Sequence, residues 1–103
     1  MKEDLLQIIS KYGINHQQRK LNEEVFELQE AITTHELKQS VEYEIPLTEI
    51  IGTKEHITEE IADVCVMLHQ FVEYYGIQES DIYMIMEQKI DRQLERIKGE
   101  SNE

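Results

Sequence analysis

The stretch Lys20-Leu21-Asn22-Glu23-Glu24-Val25-Phe26-Glu27-Leu28 decides how the chain is read. Leu21, Val25, Leu28 and then Ile32 recur at spacings of four, three and four, the apolar stripe of an amphipathic α-helix. Glu24 and Glu27 are three apart, so on that helix they lie on one face about a turn from each other. The same acid-x-x-acid pattern returns at Glu60-Ile61-Ala62-Asp63. There the helical spacing is carried by Ile57, Ile61, Val64, Leu68 and Phe71 or Val72. In both places the acids border apolar positions, which sets them at the margin of the stripe. Two such helices packed side by side bring four partly desolvated carboxylates together, an arrangement that repels itself without a cation. Oxygen ligands in that number suit a hard ion such as Mg2+ rather than zinc or copper.

Punctuation on either side divides the chain into helices. Gly13 follows a short periodic stretch with Leu5, Ile8 and Ile9, and suits the residue just past a helix end. Asn15 with Gln18 forms a capping-box-like start for the second helix, which runs to about Gln39. Over residues 41–52, Val41, Tyr43 and Ile45 alternate with Glu42 and Glu44 until Pro46, which predicts a short extended insertion. A third helix starts near His56 to Thr58 and closes at Gly76. Ser80 is the expected N-cap of the last helix, with Ile82, Ile85 or Met86, Ile90, Leu94 and Ile97 as its stripe. The polar tail over 99–103 is expected to fray. The fold class is therefore all-α, with about four helices in an antiparallel bundle and a single domain over 1–103. A domain of 103 residues buries only about 60–70% of its unfolded surface, so homo-oligomerisation is expected to complete the core.

Charge narrows the function. Twenty-two acidic against ten basic residues give a net charge of −12, which argues against nonspecific binding to nucleic acid or to an anionic membrane. No apolar run approaches the ~20 residues of a membrane span. The acidic, amphipathic start MKEDLLQIISKYG does not read as a signal peptide. The single cysteine, Cys65, allows no internal disulfide, fits a reducing cytoplasm and is expected in the core. Against the acidic background, Lys89, Arg92 and Arg96 fall at i, i+3 and i+7 on the last helix. A cationic face beside metal-binding carboxylates is what a polyphosphate substrate needs.

Taken in order, Lys20 to Leu28, Glu59-Glu60-Ile61-Ala62-Asp63-Val64 and Lys89-Ile90-Asp91-Arg92 resemble the MazG-like nucleotide pyrophosphohydrolases of the all-alpha NTP pyrophosphatase superfamily. The resemblance covers roughly residues 13–97. It implies Mg2+-dependent hydrolysis of nucleoside triphosphates, NTP or dNTP, to the monophosphate and pyrophosphate, with Mn2+ as a substitute ion. It implies Glu24, Glu27, Glu60 and Asp63 as metal ligands and catalytic carboxylates, and Lys89, Arg92 and Gln17 as substrate contacts. It also implies a homodimer or homotetramer whose site is closed by helices from more than one subunit. The gap of 32 residues between Glu27 and Glu60 is longer than in many members, and the insertion over 41–52 accounts for it. Two rival readings stand beside this one. The chain could be an acidic helical interaction protein without enzymatic activity, or a nucleotide-binding sensor of the same fold without turnover.

Overall fold

The computed structural model describes residues 1–40 and 52–101. Four helices follow one another: α1 (Lys2–Tyr12), α2 (Ile14–Ser40), α3 (Lys54–Tyr74) and α4 (Glu79–Ser101). The class is all-α, as the spacing predicts. Most of the extended insertion expected over 41–52 lies outside the described residues, as do the last two residues of the tail.

Local chemistry explains the boundaries. Gly13 separates α1 from α2 with φ 90, and its N–H donates to the Ile9 carbonyl at 2.8 Å. α3 begins a little before the expected start, because Thr53 caps it: the hydroxyl accepts from the His56 backbone N–H at 3.0 Å. Its end is a Schellman turn. Gly76, at φ 64, donates to the Glu73 carbonyl at 3.2 Å, and Ile77 donates to the Val72 carbonyl at 2.9 Å. α4 begins at Glu79, so Ser80 sits inside the first turn rather than ahead of it.

α1, α2 and α3 pack against one another. Contacts pair Gln17 with Gln70, Glu24 with Glu60 and Asp63, and His35 with Gly52, so α2 and α3 run antiparallel. The seam between them differs from the expected stripes. On α2 the buried residues are Gln17, Glu24 and Ala31, each seven apart, while Ile32 is exposed. On α3 they are Met67 and Gln70, while Ile61 and Leu68 are exposed. α3 is apolar on two sides, and the α2-facing side is the more polar one. Ile61, Cys65 and Leu68 lie on the other side and are all exposed, so Cys65 is at the surface rather than in the core.

α4 does not close the bundle within the chain. Its first turns meet α3 around a groove of about 200 Å³ lined by Leu68, Val72, Ile82 and Met86, and Glu79 pairs with His69 at 3.5 Å. Beyond that Ile90, Leu94 and Ile97 are each more than half exposed. The radius of gyration is 18.0 Å, against roughly 13 Å for a compact chain of 100 residues. Leu5, Ile9 and Met67 are the large apolar side chains buried among the described residues. At about 1.5–3 kcal/mol each they are a thin core for ordering a chain of this length.

Candidate metal centre

The α2–α3 seam holds carboxylates where a core would normally be apolar. Glu24, Glu60 and Asp63 each offer an oxygen, and these oxygens lie within 4.8 Å of one another. Glu24 is 8% exposed and occupies the middle of the α2 seam, not its margin. Glu60 is half-buried, and Asp63 opens to solvent one turn further along α3.

Each buried acid is held at one oxygen and free at the other. Lys20 Nζ lies 3.3 Å from Glu24 Oε1, and His56 Nε2 lies 3.2 Å from Glu60 Oε1. Both donors come from one turn earlier on the same helix. Glu24 Oε2 and Glu60 Oε2 are buried with no hydrogen-bond partner among the described residues. Buried carboxylate oxygens without donors are costly. Two of them beside a third carboxylate form an oxygen-only donor set that fits a hard divalent cation. Glu24 holds the Lys20 ammonium above the usual lysine range, chiefly through their hydrogen bond, with the Glu24 and Glu23 charges adding to it.

Further along the seam the polar groups are satisfied. Gln17 Nε2 donates to Gln70 Oε1 at 2.8 Å, and Gln17 Oε1 lies 2.7 Å from His16 Nδ1. Gln70 Nε2 completes the chain at the Met67 sulfur, 3.6 Å away. His16 is itself stacked on Tyr12, with ring centroids 5.2 Å apart.

The sequence-derived site residues therefore fall into three groups. Glu24, Glu60 and Asp63 come together. Glu27 is exposed on α2 and stands outside that cluster, and Gln17 is buried with its amide engaged by Gln70 and His16. Lys89 and Arg92 are exposed on the part of α4 that leaves the other helices. Sequence reading missed Lys20, His56 and Gln70. The first two carried a signal, since each lies four residues before a site carboxylate, where helix geometry makes side chains meet.

Among the described residues no helix is long and apolar enough to cross a membrane. Comparisons with protein-family models, with curated proteins and with solved structures return no match.

Proposed function

We propose that the chain is a Mg2+-dependent nucleoside triphosphate pyrophosphohydrolase, MazG-like in its residue pattern, that releases nucleoside monophosphate and pyrophosphate. The observation that carries this reading is the Glu24–Glu60–Asp63 cluster with its two buried, donorless oxygens. Mg2+, or Mn2+ in its place, would be held by Glu24, Glu60 and Asp63, with Glu27 joining from the solvent side. When bound, the ion would supply Lewis acidity toward phosphate oxygens and lower the pKa of a coordinated water. The chain's own residues do the rest. His56 fixes the Glu60 carboxylate in position, Lys20 offsets the Glu24 charge, and the seam keeps both carboxylates from bulk water.

Lys89 and Arg92 are the phosphate-contacting groups of this reading, and the single chain does not deliver them to the cluster. A second copy would. The exposed Ile61 and Cys65 on α3 and the exposed Ile90, Leu94 and Ile97 on α4 are apolar faces that a homo-oligomer would bury. The exposed thiol of Cys65 suits a reducing cytoplasm.

The test is incubation with a panel of NTPs and dNTPs, with and without Mg2+, the products being separated by chromatography. Monophosphate plus pyrophosphate, absent with Glu24→Gln, supports the reading. Mg2+-dependent nucleotide binding without product marks a sensor. Binding of neither nucleotide nor metal leaves the acidic interaction protein.

A further inference from the structure

Glu60 is reached by a line of hydrogen bonds that begins on the other helix. His35 on α2 donates from Nδ1 to the Gly52 carbonyl at 2.8 Å, which fixes a proton on that nitrogen. Gly52 in turn donates its N–H to His56 Nδ1 at 3.2 Å. A nitrogen that accepts a backbone N–H carries no proton, so the His56 proton is on Nε2. That nitrogen is 3.2 Å from Glu60 Oε1. The His56 ring thus has one defined tautomer and one direction in which to donate.

The glycine in the line is required by its surroundings. Gly52 has φ 83, and a Cβ built there meets the His35 backbone nitrogen and the Thr34 Cγ2 atom at 2.8 Å. The backbone is pressed onto α2, and only glycine allows that approach. Thr53 then caps α3 through the His56 N–H, so backbone and ring of His56 are both anchored at this corner.

We propose that His56 is a positioning residue for the carboxylate centre. Through Gly52 and His35 its ring is locked so that Nε2–H holds Glu60 Oε1 and leaves Oε2 turned free for a divalent cation. The inference rests on the proposed metal reading and adds to it the residue that orients one ligand. Outer partners of ligating carboxylates are worth about 10–100-fold in metal affinity. Of the groups around Glu60, Lys20 serves Glu24, and no other donor to Glu60 is present among the described residues.

The experiment compares Mn2+ affinity, by electron paramagnetic resonance of the free ion, in wild type, His56→Leu and His56→Gln, with helix content checked by circular dichroism. Leu removes the donor, while Gln keeps an N–H near the Nε2 position. The expected result is a loss of about tenfold or more in the Leu variant and recovery to within a few-fold in the Gln variant. Nitrogen-15 shifts of the His56 ring in metal-free protein are expected to show the Nε2–H tautomer. Equal Mn2+ affinity in all three proteins, or an Nδ1–H tautomer, overturns the inference while leaving the metal reading intact. Wild-type protein that binds no Mn2+ overturns the metal reading and the inference with it.

Discussion

Glu24 and Glu60 meet across the α2–α3 seam with the same division within each carboxylate. Oε1 is held by a residue one turn earlier, Lys20 or His56, and Oε2 is buried without a donor. A helix seam ordinarily excludes ionised groups, because their desolvation exceeds what one partner returns. Placing two there, beside Asp63, stores repulsion that a divalent cation would relieve.

That stored repulsion is measurable without any substrate. In chelator, Glu60→Gln is expected to melt higher than wild type, since the amide removes a charge and adds a donor facing Glu24. A gain of about 1 kcal/mol corresponds to a Tm rise of roughly 4–8 °C in a domain of this size. Mg2+ at about 100 times its Kd adds roughly 2.7 kcal/mol to wild type and much less to the variant. A variant that melts lower than wild type in chelator would mean that the seam tolerates both charges unaided.

Lys20 competes with any cation for Glu24. Lys20→Met is expected to raise Mn2+ affinity by about two- to fivefold, a modest effect because the ammonium is exposed. The pH sign follows from the raised lysine pKa. The ion pair's contribution is fully present below the ordinary lysine range and is lost as pH rises through the raised value. Stability differences between wild type and Lys20→Met should therefore be flat through neutral pH and fade in strong alkali. Denaturant titrations across that range check it, and a difference that already fades near neutrality speaks against the Lys20–Glu24 pairing.

The Gln17–Gln70 pair is a second polar element in the same seam. Replacing either amide with Leu strands its partner and is expected to cost about 1–3 kcal/mol. The double replacement should recover part of that loss, giving a favourable coupling in a double-mutant cycle. Additive losses would show that the 2.8 Å contact carries no energy of its own.

Gly13 and Gly52 both have positive φ but differ in their surroundings. Around Gly13 a Cβ meets nothing within 4 Å, whereas at Gly52 it meets backbone at 2.8 Å. Gly13, at φ 90 and ψ 155, occupies backbone space that essentially only glycine adopts, so Gly13→Ala is expected to cost about 1–3 kcal/mol of conformational strain alone. Gly52→Ala should cost more and also weaken Mn2+ binding, because it displaces the backbone that orients His56. Equal melting temperatures for the two variants would contradict the close approach of Gly52 to α2.

The exposed apolar faces of α3 and α4 make self-association testable. Ile90→Asp with Leu94→Asp is expected to shift the protein to monomer in sedimentation. Mn2+ affinity should stay within about twofold while hydrolysis is lost, because the cluster lies within one chain and Lys89 and Arg92 would come from another. Monomeric wild type, or an active monomer, removes the second copy from the account.

The helices and their apolar spacing were open to reading because propensity and periodicity are local. Which side of each helix faces inward was not. Leu68 and Met67 compete for the core on equal terms in sequence, and only the packed structure, where Met67 sits buried beside Gln70 and Leu68 is half exposed, selects Met67. Pairing Glu24 with Glu60 and Asp63 followed from the repeated acid spacing. Glu27 did not join them: the α2 seam runs along Gln17, Glu24 and Ala31, and Glu27 falls on the exposed side of that line. The course of α4 could not be deduced at all: an apolar stripe tells which side of a helix is apolar, not what lies against it.

Anomalous diffraction from crystals grown with Mn2+ would show directly whether the carboxylate cluster holds a cation. One peak, or a close pair, is expected between Glu24, Glu60 and Asp63, with the freed Oε2 atoms as ligands. Manganese located elsewhere, or electron density that leaves this cluster without a cation at saturating Mn2+, would contradict the account.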